Sequence, residues 1–236
     1  MHSEINLVHR VYTGNTNTKP LAFSAISSTR RTSIHSLHSP LITASLLLAG
    51  DIHPHPGPSS SKLSIFYLNI RSLLQPKRPS QIFDITDSLH PDLICLTETW
   101  VTPDTSSSCL ADVTPSGYSL FSFPSSIYKP TLSTLARTLG GGTAFLVREP
   151  FSAVSLSSPT YSSFDVSSIT LQLLSSKLTV FNIYRRPSSS VHSQKLSTFF
   201  DQFQTFLTSA ATTPHEFLIT GDFNFHVDDH TDSSSL

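Results

Sequence analysis

The chain has 236 residues, of which 38% are hydrophobic and 13% are charged, and its formal net charge is -1. This length is enough for one domain with a buried core and an additional tail. The charge lacks the basic excess of a free-standing DNA-binding protein, but it is compatible with an enzyme that holds its substrate through a metal ion and a few local cations.

The first 62 residues are rich in Ser, Thr, His and Pro and end in GDIHPHPGPSSS, a Pro- and Gly-rich stretch that breaks regular structure. We predict a mostly disordered leader over residues 1–62, with a short helix at residues 41–49, and a folded domain over residues 63–236. The apolar run at 41–49 is much shorter than the ~20 residues of a membrane-spanning helix. The two cysteines make no disulfide framework, which favours a reducing, intracellular compartment, and Cys95 is predicted to be a core residue.

Short apolar runs begin after Lys62. LSIFYLNI and DLICL are nearly continuous in apolar residues, which is typical of strands that are buried on both faces. Between them we predict a helix with Ser80 as its N-cap and an apolar side formed by Ile82, Phe83, Thr86 and Leu89. A weaker strand is predicted at Tyr118–Phe123.

The second half of the domain alternates strands with one clear helix. GGGTAFLV predicts a strand, and residues 164–174 and 178–184 predict a hairpin. A helix capped by Ser193 follows, with Leu196, Phe199, Phe200, Phe203, Phe206, Leu207 and Ala210 on one apolar face. The next strand is EFLIT. Because strands outnumber helices and several are doubly buried, we predict an α/β fold, a two-sheet sandwich with outer helices.

Polar side chains stand where these strands end, at Asn69, Glu98, Tyr184, Arg185, Asp222 and Asn224. Ligands often gather at one set of strand ends, so we expect these side chains to converge. Glu98 and Asp222 are hard oxygen ligands suited to Mg²⁺, while Tyr184 and Arg185 would contact a phosphate oxygen.

Each of these residues also has a purely structural interpretation. A carboxylate at a strand end is commonly solvated or a cap, GDFN is compatible with a simple turn, and Tyr184 with a core-edge aromatic. Residues 140–142 predict a mobile glycine loop, since no Gly-Lys-Ser or Gly-Lys-Thr sequence follows. His226 and His230, beside several aspartates, are best explained as part of a solvated loop.

Five segments taken in order, FYLNIRSL, DLICLTETW, GGGTAFLVRE, NIYRRP and LITGDFNFHVDD, resemble the successive motifs of the endonuclease/exonuclease/phosphatase superfamily, which has the DNase-I-like fold. The variants here are most similar to those of LINE-type non-LTR retrotransposons. The resemblance implies a Mg²⁺ or Mn²⁺ site at Asn69, Glu98 and Asp222 and phosphate contact by Tyr184. It also implies that Asp222 and Asn224 position the attacking water. The family reaction is phosphodiester hydrolysis, usually nicking of DNA, so DNA is the expected partner. No small-molecule cofactor or membrane is expected, and a nuclear location follows only from the family.

Two departures from the family pattern affect these expectations. Arg186 stands where the pattern YRPP has a proline, and the closing SDH motif has no counterpart, because His226 and His230 follow GDFN too closely. We therefore expect the N-terminal two-thirds of the domain, incomplete at the C-terminus, with impaired or absent activity, since acid–base catalysis contributes roughly 10²–10⁴ in rate. The alternatives are a non-catalytic remnant that serves as a nucleic-acid or protein interaction module, and a chain that does not fold stably.

Overall fold

A computed structural model describes the backbone of residues 5–8, 24–25 and 46–49 and the complete residues 63–126, 140–173, 176–187 and 195–224. The strands within these ranges are β1 Ile5–Val8, β2 Ser24–Ala25, β3 Leu46–Ala49, β4 Ile65–Asn69, β5 Leu93–Thr97, β6 Tyr118–Phe123, β7 Thr143–Arg148, β8 Ser152–Leu156, β9 Asp165–Gln172, β10 Lys177–Tyr184 and β11 Glu216–Asp222. The helices are α1 Arg78–Leu89, α2 Ser107–Asp112 and α3 Leu196–Ala210.

The strands form two mixed sheets. The first has the order β1-β4-β5-β7-β6 and the second the order β2-β3-β11-β10-β9-β8. Each sheet contains one parallel pair, β4 with β5 and β10 with β11, while its other neighbours are antiparallel. The predicted α/β sandwich is confirmed.

Three apolar clusters define the layers of the sandwich. One lies between the sheets, one joins the first sheet to α1, and one joins the second sheet to α3. Strand β4 shows why its sequence is apolar throughout: Ile65 and Tyr67 face the opposite sheet, whereas Phe66 and Leu68 belong to the cluster with α1. Side chains alternate along a strand, so a strand between two layers needs apolar residues at every position. Cys95 is a core residue, as predicted.

Both predicted amphipathic helices exist, with corrections at three residues. Leu89, predicted on the apolar side of α1, is 50% exposed. Ser80 lies inside α1, which begins at Arg78 after Lys77 and has a proline in its first turn, so Ser80 is not the N-cap. In α3 the side chains Phe199, Phe203, Phe206 and Ala210 are buried, but Phe200 is 49% exposed and lies off the apolar face. The predicted cap Ser193 lies outside the described residues.

The helix expected at residues 41–49 is wrong at Leu46–Ala49, which is strand β3 paired with β11 through Ala49 and Leu218. Four further elements were not predicted from the sequence: β1, β2, β8 and α2. The described residues contain no helix that is long and apolar enough to cross a membrane.

Candidate active site

One end of the space between the sheets is polar. Along β10, every second side chain points towards the opposite sheet. These side chains are apolar at Leu178 and Val180 and polar at Asn182 and Tyr184. The buried amide of Asn182 crosses between the sheets, because its Nδ2 donates to the carbonyl oxygen of Leu96 at 2.8 Å. The polar end is therefore held together by specific hydrogen bonds rather than by apolar packing alone.

Glu98 and Asp222, which come from different sheets, meet at the side chain of Asn69. Asn69 Nδ2 donates to Glu98 Oε1 at 2.9 Å and to Asp222 Oδ2 at 2.8 Å. Asn69 ends β4, Glu98 follows β5 and Asp222 ends β11, so the strand ends converge as the sequence predicts. Their function as a metal site stays a prediction.

The environment of Asp222 disfavours a negative charge on its carboxyl group. Burial raises its pKa to about 6, and the nearby charge of Glu98 also raises it, while hydrogen bonds from Asn69 and the Asn224 backbone and the charge of Arg71 lower it. Two buried carboxylates so close together favour a positive ligand between them.

The donor set fits a hard cation of the Mg²⁺ type. Asn69 Oδ1 is buried and receives no hydrogen bond, so an acceptor oxygen remains beside the two carboxylates. Among the described residues no group of three or more His, Cys, Asp or Glu side chains could hold a metal. Mg²⁺ does not need such a group, since it commonly binds one or two carboxylates and completes its shell with water and phosphate.

Tyr184 is nearly buried beside the carboxylates. It is the register partner of Asp222 in the parallel pair β10–β11. Burial, and then the charges of Glu98 and Asp222 and a hydrogen bond with Glu98, raise the pKa of Tyr184 far above its ordinary value. Its hydroxyl therefore stays protonated and remains a hydrogen-bond donor.

Asn224 and Arg185 hold the turn that follows β11. The backbone N–H of Asn224 donates to Asp222 Oδ1 at 2.9 Å, and its Nδ2 donates to the carbonyl oxygen of Arg185. Arg185 is 4% exposed, donates from Nη1 to the carbonyl of Phe223 at 3.1 Å, and lies 5.1 Å from the ring centre of Phe199. The predicted contact between Arg185 and substrate phosphate stays a prediction, and the contacts present here fix the turn.

Backbone conformation at the site is unusual. Glu98 has φ 53° and Asn224 has φ 49°, in the left-handed region that residues with side chains rarely adopt. Glu98 is held there by neighbouring bonds, including one from Ser72 N to its carbonyl oxygen at 2.7 Å. Such conformations cluster at functional sites because the surrounding structure must enforce them.

Residues 66–235 match the model of the Endonuclease/Exonuclease/phosphatase family. The chain belongs to this family. A comparison with curated protein sequences gave no match.

Several solved structures are similar in fold. They include the human Nocturnin catalytic domain with bound sulfate, at 16% identity over 71% of this chain and 64% of that chain with a TM-score of 0.48. D. rerio TDP2 complexed with single-strand DNA product is 17% identical over 70% of this chain and 62% of that chain, with a TM-score of 0.47. The endonuclease domain of TRAS1, a telomere-specific non-LTR retrotransposon, is 10% identical over 68% of this chain and 59% of that chain, with a TM-score of 0.44. The chain spans less than two-thirds of the length of each.

The sequence analysis did not predict a second polar cluster, which lies beside Tyr184 and is formed by Ser125, Asp165 and Arg186. Asp165 accepts from Gly142 N at 3.1 Å and from Ser125 Oγ at 3.0 Å, and Ser125 Oγ in turn accepts from Arg186 Nη2 at 3.0 Å. The signal available in the sequence was the arginine at position 186 where the family pattern has proline. The predicted solvated loop with His226 and His230 lies outside the described residues.

Proposed function

We propose that this chain carries the metal-binding and phosphate-binding part of a site that hydrolyses phosphodiester bonds in DNA. The observation that supports this most strongly is the convergence of Glu98 and Asp222 on Asn69 Nδ2, at 2.9 and 2.8 Å. Two carboxylates from different sheets are brought together beside the buried hydroxyl of Tyr184.

Asn69, Glu98 and Asp222 would hold Mg²⁺ or Mn²⁺. The fit rests on two carboxylates and the buried amide oxygen of Asn69, which receives no hydrogen bond. When bound, such an ion stabilises negative charge on the phosphate and helps the leaving oxygen to depart.

The other side chains orient the reacting groups. Tyr184, kept neutral by burial and by the neighbouring carboxylates, donates a hydrogen bond to a non-bridging phosphate oxygen. Asp222 and Asn224 position the attacking water, and the bond from Asn224 N to Asp222 Oδ1 fixes their relative orientation. Arg185 acts on this group indirectly by binding the carbonyl oxygens of Phe223 and Asn224.

We infer that turnover is slow and that the chain derives from a LINE-type element. Neither histidine in the described part of the chain serves the site, since His90 ends α1 and His215 bonds Thr179 near the opposite end of β10. Loss of the histidine that the family uses for acid–base catalysis would lower the rate by roughly 10²–10⁴.

Nicking of supercoiled plasmid in the presence of Mg²⁺ tests both parts of this proposal. We expect slow nicking by the wild-type chain, no nicking by Glu98→Gln, and wild-type behaviour of Glu149→Gln, which removes an exposed carboxylate after β7. The same three proteins are melted with and without Mg²⁺, and only Glu98→Gln should lose the stabilisation by the ion.

The outcomes separate the claims. Nicking that Glu98→Gln leaves unchanged would disprove the assignment of the site. Rapid nicking that requires Glu98 would support the site and disprove slow turnover. Stabilisation by Mg²⁺ and binding of DNA without any cleavage would favour the interaction module.

A further inference from the structure

Arg185 and Arg186 are neighbours in the sequence but point in opposite directions. The guanidinium of Arg185 packs over Phe199 of α3, on the outer face of the second sheet. Arg186 instead donates from Nη2 to Ser125 Oγ at 3.0 Å, beside the end of β6 in the opposite sheet. Arg186 therefore lies on the same side of the backbone as Tyr184, within the polar end of the sandwich.

The charge of Arg186 is buried, and no carboxylate in the described part of the chain forms an ion pair with it. Arg186 is 8% exposed, and its Nε has no hydrogen-bond acceptor among the described residues. Within the described ranges the ion pair found is Arg148 with Asp92, far from this cluster in the sheet. A buried cation costs several kcal/mol unless a counter-ion is supplied. An incoming anion would provide one.

Asp165 is close to Arg186 but its oxygens are already engaged. Oδ1 accepts from Ser125 Oγ at 3.0 Å and from Ser126 N at 3.1 Å, and Oδ2 accepts from Gly142 N at 3.1 Å. Asp165 thus holds the segments that contain Ser125, Ser126 and Gly142. The hydroxyl of Ser125 lies between Asp165 and Arg186 and bonds both of them.

Arg186 lies next to the site formed by Asn69, Glu98, Tyr184 and Asp222. Its positive charge acts on Tyr184, lowering the pKa of that hydroxyl against the larger upward effects. A Cβ at Gly141 would lie 3.0 Å from Arg186 Nη2 and 2.9 Å from Asp165 Oδ2. The glycine at this position therefore keeps a side chain away from the guanidinium.

We propose that Arg186 binds a phosphate of the nucleic-acid backbone adjacent to the one that is hydrolysed, and that it is the phosphate-binding arginine of this chain. The planar guanidinium presents several N–H donors that match phosphate oxygens. This inference rests on the proposed function only for the identity of the ligand as a nucleic acid, because the buried, unmatched charge predicts an anion in any case.

A competing explanation is that Arg186 only holds Ser125 in place. A structural residue would change stability and affinity without changing how affinity depends on salt. A phosphate contact changes the salt dependence, because each contact releases counter-ions from DNA, about 0.9 per phosphate.

The test is the affinity for a short DNA duplex at several salt concentrations, with Ca²⁺ replacing Mg²⁺ to limit cleavage. Relative to wild type, we expect Arg186→Met to bind roughly tenfold more weakly and to lower the slope of log affinity against log salt by about one. Arg186→Lys keeps the charge and should keep the slope. Lys177→Met removes an exposed charge at the far end of β10 and should match wild type.

A second arm uses inorganic phosphate as the probe. Phosphate should raise the melting temperature of the wild-type chain and of Arg186→Lys, but not that of Arg186→Met. If no variant binds DNA but phosphate stabilises only the proteins with a cation at 186, the anion site stands and the DNA proposal fails. An unchanged salt slope in Arg186→Met, together with the same phosphate stabilisation in Arg186→Met as in wild type, would overturn the inference.

Discussion

Tyr184 and Asp222 lie directly opposite each other in the parallel register of β10 and β11. Both side chains continue the inward face of the second sheet, so a neutral hydroxyl and a buried carboxylate stand side by side where the apolar core ends. Strand pairing alone fixes this arrangement. A shift of one residue in the register would turn one of the two side chains away from the site.

Removing the Tyr184 hydroxyl should reduce activity without unfolding the protein. In Tyr184→Phe the ring still fills its buried space, but the donor to the phosphate oxygen is lost, and loss of one such donor typically lowers the rate about 10²-fold. Single-turnover nicking over long incubations measures the effect. Tyr161→Phe, which changes another nearly buried tyrosine in the α3 cluster, should nick at the wild-type rate. Equal rates for Tyr184→Phe and wild type would contradict the role of the hydroxyl.

The carboxyl group of Asp222 should make the metal-free protein less stable as the pH rises. Its pKa is raised to about 6 in the folded chain, so the folded state favours the neutral form. The resulting stability is fully present below the unfolded pKa near ~4 and is lost as the pH rises through about 6. This loss amounts to roughly 3 kcal/mol.

Asp222→Asn should therefore gain stability relative to wild type between acidic and neutral pH. Denaturant unfolding of both proteins at a series of pH values, without divalent ions, measures the difference. Asp201→Asn changes an exposed carboxylate on α3 and serves as the control. A stability difference between Asp222→Asn and wild type that stays constant with pH would show that the carboxyl is not perturbed.

The sequence predicts the strands that are buried on both faces, because each is a nearly continuous apolar run, and it predicts Asn69, Glu98 and Asp222 as site residues because they stand at strand ends. The sequence does not predict strands that form mainly because they pair with a neighbouring strand. The edge strand β8 has an exposed Val154 and few apolar residues, and β3 is a strand because it pairs with β11.

The two arginines show a different limit. The sequence predicts Arg185 as a phosphate contact because it stands at the end of a strand with the other polar side chains, and this stays a prediction. Which of two adjacent side chains turns towards the site depends on the backbone after β10, and that direction is set by tertiary contacts with Phe199 and Ser125. The pattern of apolar and polar residues in the sequence does not indicate the direction of either arginine side chain.

The aromatic cluster beneath α3 should carry much of the stability of the second sheet. Phe206 is 3% exposed and its ring lies near those of Tyr161, Phe164, Phe181 and Phe203. Phe206→Ala should lower the free energy of unfolding by about 3–5 kcal/mol. Phe200→Ala, on the same helix but 49% exposed, should cost less than about 1 kcal/mol. Similar losses in the two variants, measured by denaturant unfolding, would contradict the placement of α3.

Gly221 is required by the close approach of β10 to β11. It has φ 147°, and a Cβ there would lie 1.9 Å from the carbonyl oxygen of Ile183, its register partner. Backbone atoms in a sheet cannot move aside as a flexible side chain can, so Gly221→Ala should destabilise the protein by several kcal/mol. Gly117 has φ 77° and no atom within 4 Å of the added Cβ. Gly117→Ala should therefore cost only about 1–2 kcal/mol, from its backbone conformation.

Gly221→Ala and Gly117→Ala also test whether the pairing of β10 with β11 positions the Asp222 carboxylate. Because Asp222 follows Gly221 directly, separation of β10 from β11 at this point would displace the carboxylate from Asn69. We expect Gly221→Ala to lose the stabilisation by Mg²⁺ wherever it remains folded, and Gly117→Ala to keep it. Thermal melts with and without Mg²⁺ measure both effects. Equal melting temperatures and equal Mg²⁺ responses in the two variants would mean that β10 and β11 do not approach as closely as the register of Ile183 and Gly221 requires.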